Sequence, residues 1–285
     1  YVMVQRLIVP VDGSDTSWRA VDVALPLARR VDASVRIVEV VFSPGDIPHA
    51  QRRLEEGVGL VDGAGIDLDV EVLLSDASVA SAIEEALTTA PGSTVVMSSH
   101  GRGRSAALVG SVAEDIVQRT FGPIILVGPH VVADDFSGPI VVTVDGSDES
   151  EVALPLAASW GIELQVEPWV VHVTGEGVGT NTGGDIVDTM YTSRLAHDLE
   201  KKSGHRVQFE ELHDRHPAAA VPEFAERMDA SLIVASSHGR SGLSRLTVGS
   251  VTSGFVRHAS CPVMVVRLPH PSKQWDDAEA RAWAM

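Results

Sequence analysis

The chain has a single cysteine, Cys261, among 285 residues. An intramolecular disulfide framework is therefore excluded. Cys261 precedes Pro262 in an apolar, strand-like run, where a buried thiol is expected rather than a reactive one. Basic residues are also short, with 22 Lys and Arg against 39 Asp and Glu and a net charge of −17. That balance argues against nucleic acid and anionic membranes as general partners. Any site for a polyanion must be built locally, from backbone N–H groups and a few arginines. No apolar run is long enough to cross a bilayer and no signal peptide is read, so a cytoplasmic protein is expected. What remains is a chain that is 44% hydrophobic and long enough for two domains, each with its own core.

Two domains are also what internal repetition predicts. Val9 to Asp15 matches Val142 to Asp148. Ser98-Ser99-His100-Gly101-Arg102 matches Ser236-Ser237-His238-Gly239-Arg240. Gly110-Ser111-Val112 matches Gly249-Ser250-Val251. Gly122 to Val127 matches Cys261 to Val266. The chain reads as a tandem of two homologous halves, 1–130 and 138–268, with a polar connection between them and a polar tail, 269–285.

Within each half, short apolar runs alternate with segments of helical spacing. The first half reads as strands over 6–11, 34–41, 68–74, 94–98 and 123–127. Helices are read from about 49 to 62 and over 77–89 and 111–120, with another after Asp12-Gly13-Ser14, where Ala20, Val23, Ala24, Leu27 and Ala28 share one face. The second half reads as strands over 140–144, 166–173, 206–212, 230–235 and 262–266, with helices over 150–160, 185–203 and 218–228 and a Gly/Thr-rich connection over 175–184. Alternation of this kind implies right-handed crossovers and parallel sheets with helices on both faces. The expected fold is α/β: two tandem doubly wound five-stranded parallel sheets of order 3-2-1-4-5, flanked by helices. In such a sheet the crevice lies between strands 1 and 4, beyond their carboxyl ends. Asp12 and Ser98 to Gly101 end those strands in the first half, so the two repeated motifs meet there.

The stretch from Ser236 to Ser250 connects a buried strand to a helix through a glycine-bearing loop. Glycines let backbone approach a ligand, the helix start near Gly249 and Ser250 favours an anion, and Arg240 and Arg245 add positive charge. An ordinary strand-to-helix connection, with Ser250 as N-cap, reads the same residues without a ligand. Similarly, Asp12 and Asp145 could cap the first helix of each half with Ser14 and Ser147. Ser111 and Glu114 read as a capping box, and Glu114 at a helix start works against an anion. His100 and His238 lack a second ligand at metal-binding spacing, and no side-chain metal site is expected.

Taken together, Val-Asp-Gly-Ser after strand 1 and Ser-Ser-His-Gly-Arg…Gly-Ser after strand 4, in both halves, resemble the universal stress protein family over about residues 5–268. The resemblance implies an adenine-nucleotide-binding stress-response regulator rather than a conventional enzyme, holding ATP with or without magnesium. It implies nucleotide contacts at Asp12, Val40, Ser98, His100, Gly101, Gly110, Ser111 and Val112 in the first half. In the second they fall at Asp145, Val173, Ser236, His238, Gly239, Arg240, Gly249, Ser250 and Val251. Asp12 and Asp145 resemble the carboxylate on the adenosine part, and Val40 and Val173 the residue whose backbone reads the adenine. The fifth strands resemble a dimerising edge, which pairs either the two halves or two chains, and a protein partner of unknown identity is implied.

The family's nucleotide binders carry Gly-x-x-Gly, nine residues, then Gly-Ser/Thr. Here serine replaces the first glycine in both halves. The second loop keeps nine residues (240–248) and the first has eight (102–109), so the second half is expected to bind better. Two alternatives stay open: an interaction module that has lost nucleotide binding, and a slow ATPase. No residue is placed as an evident general base for the latter; His238 is the candidate in the loop.

Overall fold

The computed structural model describes residues 4–63, 65–101, 109–120, 122–175, 184–237 and 248–267, with only the backbone of 184–189. The chain divides into two compact units, the first comprising the residues up to Val127 together with Arg267 and the second spanning Gly128–Val266. Among the expected site residues, His238, Gly239 and Arg240 lie outside the described residues, as do Arg102, Arg104, Arg245 and the tail.

In the first unit the order is β1 (Arg6–Pro10), α1 (Asp15–Val31), β2 (Ser34–Val41), α2 (Ile47–Val58) and β3 (Leu68–Leu74). It continues with α3 (Val79–Thr89), β4 (Ser93–Ser98), α4 (Ser111–Arg119) and β5 (Ile124–Val127). The strands lie in the order β3-β2-β1-β4-β5 and every pair is parallel. The central strands are apolar without alternation because helices cover both faces: Leu7, Val9, Val35, Ile37, Val38, Val95, Val96, Ile125 and Leu126 are all at or near zero exposure. The stripe predicted on α1 is buried as a set, and the helix ends at Asp32 in the left-handed conformation. The outermost strand β3 is only half-buried. Its solvent face carries Asp69 and Glu71, both paired with Arg36 of β2, a charged surface that discourages further strand pairing.

The second unit repeats the plan with β6 (Ile140–Val144), α5 (Asp148–Glu151), α6 (Ala153–Leu164), β7 (Pro168–Thr174), α7 (Gly184–Ser203) and β8 (Gln208–His213). It closes with α8 (Pro217–Arg227), β9 (Leu232–Ser236), α9 (Ser250–His258) and β10 (Val263–Val266). Its strands lie in the order β8-β7-β6-β9-β10, again all parallel. Both units thus have the 3-2-1-4-5 order. One helix expected over 150–160 is instead two pieces separated at Val152. Pro155 explains the break, since it has no N–H to donate to the carbonyl of Glu151.

Residues 128–138, read from sequence as a polar connection, pack on the second unit. Val132 N–H donates to the Ser260 carbonyl (3.1 Å) and Gly138 N–H to Ser231 Oγ (2.8 Å), which in turn donates to Asp134 (3.1 Å). Phe136 is 1% exposed. Cys261 is buried, and that burial pushes its thiol up to about 12.

Candidate functional site

The crevice in each unit comes from ladders of unequal length. β1 pairs with β2 up to Pro10–Val38, whereas β2 and β3 stay paired to Val41–Leu74. β1 pairs with β4 only up to Ile8–Val95, whereas β4 and β5 run on to Ser98–Val127. The strands next to β1 therefore extend past it, and Val40 keeps a ladder partner, Leu73, on one side. The second unit repeats this. β6 leaves β7 at Val144–His172 and β9 at Val142–Val234, while β7–β8 continues to Thr174–His213 and β9–β10 to Ser236–Val266. Val173 thus stands where Val40 does.

Asp12 follows β1 at this opening. Its Oδ1 accepts from the Ser14 N–H (2.9 Å) and hydroxyl (2.6 Å), a turn that Gly13 allows with a φ of 80°. Its own N–H donates to Ser17 Oγ (3.2 Å). The N-cap of α1 is Ser14, which accepts from Ser17 N–H. Asp145 is held identically: Oδ1 accepts from Ser147 N–H (3.0 Å), its N–H donates to Ser150 Oγ (3.1 Å), and Ser147 caps α5. The aspartates thus brace the capping serines and are not the caps themselves. In the first unit the other oxygen, Oδ2, is turned toward Gly101: a Cβ built there would lie 2.7 Å from it. The structure therefore brings Asp12 and Gly101 together across the crevice.

Across from the aspartates lie the starts of α4 and α9. Gly110 N–H donates to the Ser99 carbonyl (2.7 Å) and Gly249 N–H to the Ser237 carbonyl (2.9 Å). The two loops are closed by the same bond although they differ by one residue. The N-caps are Gly110 and Gly249, not Ser111 and Ser250, and the capping box read at Ser111 and Glu114 is not formed. Ser111 is the first helical residue, so its hydroxyl is not at the cap position. A glycine cap offers no side-chain acceptor, so the first-turn amides, including those of Val112 and Val251, are left for another acceptor. Ser111, Val112, Ser250 and Val251 are exposed. The two starts differ in charge: α4 carries Glu114 in its first turn and α9 carries no acid there, with Ser253 at the equivalent place.

Serine in place of the first loop glycine brings no backbone strain, because neither Ser98 nor Ser236 has a positive φ. Ser98 Oγ donates to the His100 carbonyl (2.8 Å). His100 is held by its neighbour, Nδ1 lying 2.8 Å from Ser99 Oγ, and its buried Nε2 has no hydrogen-bond partner among the described residues. Among the described residues no group of His, Cys, Asp or Glu is arranged to hold a metal ion, and no helix is long and apolar enough to cross a membrane.

Ser17 and Ser150 were not singled out from sequence, although the repeated Asp-Gly-Ser-Asp-x-Ser could have shown them. Tyr191 and Glu151 were also missed. Tyr191 Oη donates to Glu151 Oε1 (2.9 Å). Burial, that hydrogen bond, and the charges of Glu151 and Asp145 hold the phenol well above the usual tyrosine range. These residues differ from their counterparts in the first half, so repetition gave no signal for them.

The sequence matches the universal stress protein family twice, over residues 3–128 and 137–267. A universal stress protein of Mycolicibacterium smegmatis is 28% identical over 227 residues, covering 78% of this chain and 75% of its own. One of Mycobacterium tuberculosis is 31% identical over 183 residues, 61% of each chain. Among solved structures, a universal stress protein from Archaeoglobus fulgidus covers 97% of this chain and 99% of its own with a TM-score of 0.69 at 20% identity. Another from that organism, in complex with dAMP, is 28% identical over 46% of this chain and 98% of its own, with a TM-score of 0.38. With both halves matched by the family and the strand order and crevice motifs repeated in each, the chain belongs to the universal stress protein family.

Proposed function

We propose that this protein is a stress-response regulator that binds an adenine nucleotide, ATP with magnesium, at the crevice of its second unit. The single observation that carries the reading is the pairing of Asp145 at the end of β6 with a glycine-capped, acid-free start of α9 beyond β9. A helix start of this kind suits the phosphates, since its amides need no net positive charge to bind them. A carboxylate on the opposite wall suits hydroxyl or amino donors of the nucleoside and repels phosphate, which fixes the ligand's direction. Ser250 at the first helical position can reach a phosphate oxygen or a magnesium-bound water. The nine-residue loop of the second half supports the same choice of unit.

Binding would change the protein's contacts with a partner rather than drive turnover. For the first unit, Glu114 and the eight-residue loop favour the other reading, an interaction module with weakened nucleotide affinity. The test is to heat-denature freshly purified protein, count released nucleotide per chain by anion exchange, and titrate the ligand-free protein with magnesium-ATP calorimetrically. About one equivalent supports one competent unit. Absence of nucleotide in the first measurement together with no heat in the second overturns the proposal.

A further inference from the structure

The hydrogen-bond frame around Asp12 and Asp145 is the same in both units, and this fixes a residue equivalence. The serine whose Oγ accepts the aspartate N–H is Ser17 in one unit and Ser150 in the other. The next residue is Trp18 in the first and Glu151 in the second. At the position after the bracing serine, one unit has an indole and the other an acid. The helix after the second strand is matched to each. α2 meets the Trp18 indole with Gly57, where an added Cβ would lie 2.0 Å from the ring. α7 meets Glu151 with Tyr191, whose hydroxyl donates to it at 2.9 Å.

Tyr191 is held on its other side as well. Its ring stands edge-on to His172 of β7, with centroids 5.7 Å apart. His172 is buried, with Nδ1 2.8 Å from Glu211 Oε1 in a contact that lacks hydrogen-bond alignment. Glu211 Oε2 accepts from Thr192, the residue after Tyr191, at 2.7 Å. A side chain fixed at this many points is preorganised, so little ordering cost falls on binding.

We propose that Tyr191 and Glu151, beside Asp145, are the specificity-determining wall of the second crevice, and that they take uncharged hydrogen-bond donors of a nucleotide, its sugar hydroxyls or exocyclic amine. The inference rests on the nucleotide reading above. The two carboxylates repel phosphate, and with the phenol oxygen, whose proton is committed to Glu151, they reward O–H and N–H donors; a wall built to accept donors rejects analogues that lack them. The first unit, with Trp18 in that place, offers an apolar face with no such discrimination. The two units are thereby differentiated in selectivity as well as in phosphate affinity.

The test uses the full chain carrying Gly101→Leu, which fills the first crevice at Asp12. Magnesium complexes of ATP, 2′-deoxy-ATP and inosine triphosphate are titrated calorimetrically. The reference chain is expected to bind ATP about tenfold more tightly than at least one analogue, the loss of one hydrogen bond to a charged acceptor. That analogue identifies the donor: the deoxy form the hydroxyl, the inosine form the amine. Tyr191→Phe and Glu151→Gln should each bring ATP to within about twofold of that analogue, leaving the analogue's own affinity in place. An equal loss for all three nucleotides would assign the pair a structural role and overturn the proposal, as would an unchanged preference or none in the reference chain. If the reference chain binds nothing while wild type binds ATP, the site is in the first unit: this inference and the assignment to the second unit fail together, and only nucleotide binding by the chain as a whole stands. If wild type binds nothing, both fail. Should Gly101→Leu lose its circular dichroism signature, the same variants in the wild-type background read the preference through the affected class of sites.

Discussion

Asp12 Oδ2 faces Gly101 so closely that a methyl group on Gly101 would sit 2.7 Å from it. Both residues follow neighbouring parallel strands at the opening between β1 and β4, and the carboxylate cannot retreat freely because its other oxygen is held by Ser14. Gly101→Val is therefore expected to lower nucleotide occupancy in the first unit without unfolding it. Equilibrium dialysis with radiolabelled ATP checks this. Equal stoichiometry in wild type and variant would mean that the first crevice contributes no site.

The starts of α4 and α9 allow an electrostatic comparison within one chain. Glu114 lies in the first turn of α4, and Ser253 takes its place in α9. A charge in the first helical turn is worth about 0.3–1 kcal/mol, so Glu114→Ser should tighten phosphate-bearing ligands at the first unit by roughly two- to fivefold. Ser253→Glu should weaken the second unit by a similar factor. Both effects should shrink as salt is added. Calorimetric titration at low and high ionic strength reads them, and salt-independent changes would point to altered packing instead.

Asp145 serves both fold and ligand, and two substitutions separate those roles. Asp145→Asn keeps an oxygen for the Ser147 N–H and should retain most of the thermal stability. Asp145→Ala removes the acceptor beneath the Ser147 cap and should cost about 1 kcal/mol. Under the nucleotide reading both variants lose the negative charge and both bind ATP more weakly, the alanine form by tenfold or more. Differential scanning calorimetry and ligand titration on the same samples check this. An alanine variant that melts early yet binds normally would return Asp145 to a bracing role alone.

Much of this architecture is legible in the sequence, for specific reasons. Runs such as Leu7 to Val9 and Leu232 to Ala235 are apolar without alternation because helices cover both faces of the sheet. The repeated Asp-Gly-Ser and Ser-Ser-His-Gly motifs locate the crevice because topology places the ends of strands 1 and 4 side by side. Other features depend on three-dimensional detail. Ser111 has a capping residue's chemistry, yet Gly110 takes the cap, because the Gly110 N–H is already tied back to Ser99. The break at Val152 follows from Pro155, a signal that periodicity alone outweighed. Glu151 and Tyr191 are 40 residues apart and differ from their counterparts in the first half, so only the packing of α7 reveals them.

Cys261 gives the fold an alkaline limit that can be measured. Burial raises its thiol from the ordinary range near 9 to about 12. The folded protein thus keeps a proton that the unfolded chain releases above pH 9, and the associated stability is complete below that value. Between pH 9 and 12 the unfolded state binds fewer protons, so stability must fall as pH rises, by up to about 1.4 kcal/mol per pH unit. Cys261→Ala removes this contribution. It should be slightly less stable at pH 7, through the lost packing of one sulfur, yet decline less steeply above pH 9. Urea titrations at pH 7, 9 and 10 compare the two slopes, with Tyr191, also raised, common to both proteins. The same burial predicts that a thiol reagent modifies the native protein at pH 8 only as fast as it opens, and modifies the urea-unfolded chain at once. Parallel pH slopes for wild type and variant, or rapid native labelling, would show that the thiol is reached by solvent in the folded state.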